Sequence, residues 1–183
     1  MKMKKIICLI ATLMALYSCS TQVTTAEKDG QAADTAAVVQ RVNDIYARVL
    51  DVYGNSSTPS ELISSTSLDS LYCSADWNEW VARVNDYDRQ HGDDGMMGFF
   101  EADYWIMGQD WQDLAVSDVM VKELTDSTAT VQLNLHNCGS VIPVRLEMAL
   151  AGGVWKIDNF IDLANNLDWK AEMKEYLDKT NRK

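Results

Sequence analysis

From about Asp34 the apolar positions of the chain fall into a helical rhythm. Val38, Val42, Ile45, Val49 and Val52 step by three and four and make one stripe, widened by Tyr46, Leu50 and Tyr53. The spacing predicts an amphipathic helix stopped by Gly54, a residue suited to a left-handed cap. Thr58-Pro59-Ser60-Glu61 has the chemistry of a helix start, with a hydroxyl to cap, a proline for the first position and a glutamate to reach back. It predicts a short helix to about Ser65. Trp77, Trp80, Val81, Val84 and Tyr87 repeat the three-and-four step and predict a third helix over 75–89, ended by the polar loop His91-Gly92-Asp93-Asp94-Gly95.

The period then changes to two. Ala129, Val131, Leu133 and Leu135 alternate with Thr130, Gln132, Asn134 and His136, the pattern of a strand with one wet face. Residues 141–149 alternate likewise, and Gly152-Gly153 joins them to Val154-Trp155-Lys156-Ile157 as a two-residue hairpin. Residues 115–124 read as a preceding strand, turned at Asp126-Ser127. A last helix is predicted over 163–179, with Lys179, Arg182 and Lys183 complementing its C-terminal dipole. Helices followed by a meander give an α+β fold: N-terminal helices packed on a curved antiparallel sheet, with a C-terminal helix, in one domain over 35–183.

The first 18 residues stand outside that pattern. Lys2, Lys4 and Lys5 precede an apolar run from Ile6 to Leu16, too short for a bilayer that needs roughly 20 residues. Leu16-Tyr17-Ser18-Cys19 resembles the lipobox of bacterial lipoproteins, which implies a signal peptide over 1–18 and a lipid on Cys19 as membrane anchor. The polar stretch 19–34 then reads as a flexible tether. Its opening Ser20-Thr21-Gln22-Val23 lacks an acidic export tract, so the expected location is the outer membrane of a bacterium, on the periplasmic side.

Composition adds one strong exclusion. With 16 Lys+Arg against 27 Asp+Glu the formal charge is −11, and loss of three lysines with the signal takes it to −14. A chain so acidic, with no basic stripe, is repelled by phosphate backbones, which argues against nucleic acid as a partner.

The element order resembles the nuclear-transport-factor-2-like fold, a cone-shaped half-barrel. Asp103-Tyr104-Trp105-Ile106-Met107-Gly108-Gln109-Asp110 is similar to the Asp-Pro-Phe-x-x-Ala-Gln-Asp segment of the domain-of-unknown-function 3828 family of bacterial exported proteins. Gly153-Val154-Trp155-Lys156-Ile157-Asp158 is similar to that family's closing strand. Tyr104 stands where the family has proline and Gly108 where it has alanine, and the resemblance spans residues 36–162. It implies a fold and no reaction, because the family has no established activity.

Candidate chemistry concentrates between residues 77 and 113. Eight acids lie from Asp86 to Asp113, and eight of the chain's 16 aromatic residues lie from Trp77 to Trp111. Carboxylates interleaved with rings can bind a cation, a sugar or a basic protein segment, so Asp93, Asp94, Glu101, Asp103, Tyr104, Trp105, Asp110 and Trp111 form a candidate binding patch. The competing reading puts Trp77, Trp80, Tyr87, Phe99 and Trp105 in the core and leaves the acids as wet surface. Asp86 to Gln90 opens like a calcium loop, but His91 and Met97 stand where glycine and glutamate are required. Neither a zinc-spaced His/Cys set nor a nucleophile elbow occurs, and no cofactor is called for.

Relatives of the cone fold, such as ketosteroid isomerase and scytalone dehydratase, bury an acid or a histidine in the mouth for proton transfer. That resemblance implies Asp103 or Asp110 as catalytic candidates, two residues that share a face if their segment is helical. The alternative makes both of them structural acceptors for backbone amides. His136 reads as a solvated turn residue. Cys73 and Cys138 form either a disulfide or two separate thiols. The leading expectation is a non-catalytic binding module for an unknown small-molecule or protein ligand. The alternatives are an isomerase or hydrolyase with a buried carboxylate, and an inhibitor or immunity protein for a cationic envelope enzyme.

Overall fold

The computed structural model describes residues 26–54, 65–91 and 98–180. Residues 1–25 with Cys19, the helix start at Thr58 to Glu61, and Asp93 and Asp94 lie outside the described residues.

Helix α1 (Ala26–Gly54) carries the expected stripe, with Val38, Val42, Ile45, Tyr46, Val49 and Tyr53 buried. It begins earlier than the stripe does, and so takes in part of the stretch read as tether. Ala26, Glu27, Lys28, Gln31, Ala32 and Ala33 are good helix formers, and propensity extends a helix without any apolar period. Gly54 does not adopt a left-handed φ. Trp111 Nε1 instead donates to the Tyr53 carbonyl at 3.0 Å, satisfying one of the carbonyls that every helix end leaves open. Helices α2 (Ser65–Tyr72) and α3 (Ala75–His91) follow, joined where Ser74 Oγ accepts the Trp77 N–H at 3.0 Å as the cap of α3.

Five antiparallel strands lie in sequence order: β1 (Ala115–Leu124), β2 (Thr128–Asn137), β3 (Ser140–Ala151), β4 (Val154–Asp162) and β5 (Leu167–Asp168). Alternation places Val131, Leu133 and Leu135 of β2 beside Leu146 and Val144 of β3 on one buried face. Gly152 and Gly153 both take positive φ in the β3–β4 turn, as a two-residue hairpin of this hand requires. Register shifts at Ser117/Met120 and Glu147/Met148 bulge the sheet, and bulges raise the local twist that lets an open sheet curl toward a half-barrel. The α+β class is as the sequence pattern has it.

The last helix, α4 (Trp169–Thr180), starts six residues later than the pattern suggests. Asp162 holds the Ala164 and Asn165 amides in a turn, β5 pairs back on β4, and Asp168 then accepts the Ala171 N–H as the cap. Helix α1 lies against β1, while α3 and α4 lie against β4 and against each other. Trp77, Trp105, Phe160, Trp169 and Met173 fill the space between, each buried side chain contributing about 1.5–3 kcal/mol.

Residues 103–108 form a closed turn and no helix. The Asp103 amide donates to the Gly108 carbonyl at 2.9 Å, and the Gly108 amide returns to the Asp103 carbonyl at 3.2 Å. Tyr104, Trp105 and Ile106 are thereby driven into the core. Asp103 and Asp110 consequently share no helix face. The Asp110 side chain is exposed, and it is the backbone carbonyl of that residue that is used, accepting from Asn137 Nδ2 at 2.9 Å. His136 is a half-buried strand residue paired with Ala115, its Nε2 lying 3.0 Å from Ser117 Oγ, and not a turn residue. Cys73 is buried and Cys138 exposed, and both are free thiols: Cys73 bridges to Ile157 at the edge of β4, while Cys138 sits in the β2–β3 turn.

Asn137 is the clamp of this region. Buried at the end of β2, it donates to the carbonyls of Ile106 and Asp110 and accepts the Gln112 N–H at 3.1 Å. Asn137→Ala leaves those groups unpaired and should lower stability by about 2–4 kcal/mol in urea denaturation, whereas Asp110→Asn should change it by no more than about 0.5 kcal/mol.

Candidate functional site

Helix α2 puts Leu68, Asp69, Tyr72 and Cys73 on one face, and the bond from the Ser74 amide to the Ile157 carbonyl at 2.8 Å fixes that face against β4. Asp69 is therefore carried inward, with only 2% of its surface exposed. Its Oδ2 accepts the Tyr104 hydroxyl, and its Oδ1 accepts Trp105 Nε1 at 2.9 Å, with Cys73 Sγ at 3.8 Å. The half-buried Asp103 accepts the Tyr53 hydroxyl from α1 and, at 2.8 Å, the backbone N–H of Trp105. Trp105 thus donates to both carboxyls, from its indole to one and from its backbone to the other.

Burial is the main cause of the Asp69 pKa, which rises to about 6; the Asp103 charge pushes it the same way, against the stabilising donors Tyr104 and Trp105. Burial also raises Asp103, opposed by its bonds from Tyr53 and Trp105. Both phenols, Tyr53 and Tyr104, are held well above the ordinary tyrosine value by burial first and then by the neighbouring carboxylates, so they stay protonated as donors.

The two carboxyls line a cavity of about 500 Å³, walled by Val81 and Asn85 of α3, by Phe100, Glu101 and Ala102, and by Tyr104, Gly108 and Gln109. It opens beside the sheet's concavity and not within it. The concavity is filled by the chain's own rings: Trp77, Trp105 and Tyr104 each pack on Phe160 at centroid distances of 4.9, 4.9 and 5.1 Å.

Of the sequence-derived patch, Glu101, Asp103 and Tyr104 meet at the cavity, and Trp105 anchors it from the core. Trp111 is spent on the end of α1, and the Asp110 carboxylate points to solvent. Sequence reasoning missed Asp69 and Tyr53. The available signal was Asp69 itself, an acid beside Leu68 and one turn before Cys73 on what would otherwise be an apolar face. No group of three or more His, Cys, Asp or Glu side chains among the described residues converges to hold a metal ion. No described helix is long and apolar enough to cross a membrane.

These features define an α+β domain with an acid-lined lateral cavity. No family model matches the chain, and no curated protein does. Among solved structures, a phospholipid-binding protein from Ralstonia solanacearum, determined in complex with a phospholipid, is similar at a TM-score of 0.40 and 13% identity, over 79% of this chain and 85% of that one. At that distance the likeness carries neither fold nor ligand from one protein to the other.

A carboxyl whose pKa is raised by folding favours the folded state below its unfolded value near 4 and loses that contribution as pH climbs through about 6. Asp69→Asn removes the titration and keeps an acceptor for Tyr104. The stability of the variant relative to wild type should accordingly rise between pH 3.5 and pH 7.5, approaching about 3 kcal/mol in total. A difference that stays constant across urea melts in that range would show that Asp69 ionises as freely in the folded chain as in the unfolded one.

Proposed function

We propose that the protein is a non-catalytic binding module, lipid-anchored through Cys19 to the outer membrane on its periplasmic side, that takes a small ligand in the cavity between α2, α3 and residues 100–109. The observation that carries the binding reading is the cavity: about 500 Å³ is the size of a small-molecule site, and its walls combine rings with fixed hydrogen-bonding groups. The anchor rests on the lysine-led apolar run and Leu16-Tyr17-Ser18-Cys19, and kinship with the domain-of-unknown-function 3828 family rests on the segment at Asp103 to Asp110.

Asn85 is exposed on α3 and lines the cavity, so Asn85→Trp fills the space without touching the core. Native mass spectrometry of protein purified from cell envelopes should find a small molecule on the wild type and none on Asn85→Trp at equal melting temperature. A bare wild type, or equal occupancy of both, would sink the binding reading. The anchor has its own check, since Cys19→Ser should abolish incorporation of labelled palmitate.

The raised Asp69 carboxyl favours a second reading, proton transfer on a small apolar substrate with Asp69 or Asp103 as base. Turnover of the co-purified molecule by wild type, lost in Asp69→Asn and Asp103→Asn, would put that reading first.

A further inference from the structure

We infer that the cavity selects an organic ammonium ion with an apolar body, an inference that rests on the binding reading above and names its ligand class. Three carboxyls, Asp69, Glu101 and Asp103, face the cavity beside the rings of Phe100 and Tyr104 and the apolar Val81 and Ala102, and among the described residues no lysine, arginine or histidine lines it. Among the described residues no basic side chain pairs with Asp69 or Asp103; their partners include Tyr53, Tyr104, Trp105 and the Cys73 thiol. Asp158, by contrast, also withdrawn from water, holds Lys170 Nζ at 2.6 Å.

A second, separate observation comes from the core side. Tyr46 Oη is buried without a hydrogen-bond partner. The Tyr46 pKa is raised by burial and then by the charges of Cys73 and Asp103, and the Trp77 indole, as a donor to Asp69, helps to hold that carboxyl in its charged form. The pair is thus surrounded on one side by neutral N–H and O–H dipoles that stabilise negative charge without cancelling it. The cavity, which both carboxyls line, gives a positive charge an approach to the pair. An ammonium group there gains from both carboxylates and from the ring faces, and its apolar body covers Val81 and Ala102. A neutral alcohol of the same shape gains the hydrogen bonds alone, and a bare metal ion finds no convergent set of three ligating side chains among the described residues.

The groups facing Asp69 are Tyr53 from α1, Trp77 from α3, Cys73 just past its own helix, and Asp103, Tyr104 and Trp105 from the turn, none of them positively charged; the Lys156 charge of β4 is felt by Cys73. Cation uptake must therefore weaken as Asp69 and Asp103 gain protons. The test titrates the purified full-length protein with cyclohexylammonium chloride and, separately, with cyclohexanol, following the backbone amides of Gly108 and Gln109 by NMR. At pH 7.5 the ammonium should bind at least tenfold more tightly than the alcohol, and its affinity should fall tenfold or more at pH 4.5, where the probe is still fully charged. Asp69→Asn should remove most of the pH dependence while leaving the melting temperature at pH 7.5 no lower than wild type. Equal affinity for the two probes overturns the ammonium class and leaves the cavity reading intact. Shifts that spread over the acidic surface and vanish in 0.15 M salt, or no shift with either probe, overturn it as well; the molecule found or not found on Asn85→Trp decides the binding reading independently.

Discussion

Two carboxyls drawn out of water, with no basic partner among the described residues, are the constraint around which this domain is built. Asp69 and Asp103 repel one another and each is penalised by burial, so each needs donors held in place by the rest of the chain. Trp105 supplies one to each, Tyr53 comes from α1 and Tyr104 from the turn. Removing a donor strands a buried charge, and the cost of that is several times the worth of an ordinary hydrogen bond. The cluster therefore fixes α1, α2 and residues 103–108 relative to one another more tightly than apolar contact alone would.

The opposite wall of the cavity is set by a different network. Asp88 of α3 accepts the Phe99 amide at 2.8 Å and the Tyr176 hydroxyl of α4 at 2.6 Å, and a Cβ on Gly98 would stand 2.5 Å from the same carboxylate. Any larger residue there would push the Asp88 carboxylate off the Phe99 amide. Lys170 of α4 joins Asp76 of α3 to Asp158 of β4, and Ser74 Oγ reaches Asp158 at 2.5 Å. These bonds hold α3 and α4 against β4, so that Val81 and Asn85 face Phe100 and Tyr104 across the cavity and do not collapse onto them.

This division explains why the functional reading lies at the side of the sheet. Aromatic side chains pack against Phe160 on the sheet's inner face, while the polar groups gather where the helices leave the sheet. A cavity there keeps one wall rigid and chemically committed, since its phenols stay protonated throughout the physiological range.

Much of the fold was legible because periodicity reports burial directly. The stripe at Val38 to Tyr53, the alternation at Ala129 to Leu135 and the Gly152-Gly153 turn each appear where the pattern puts them, and the apolar run Tyr104 to Ile106 is buried as its composition requires. Asp103 was legible too, as an acid beside that run. What sequence could not decide was which acid is turned inward, because that depends on partners distant in the chain. Asp69 meets Tyr104 and Trp105 across more than 30 residues, and Tyr53 meets Asp103 across 50. Asp110, alike in residue type and neighbours, falls outside because the 103–108 turn closes before it and Asn137 takes its carbonyl. Residue type and spacing determined α1, α3 and the strands β1 to β4, but not α2, β5 or the start of α4. Only the closure of the turn against α1 and α2 determined which carboxyls lose their water, since desolvation is a property of the packed chain and of no single segment.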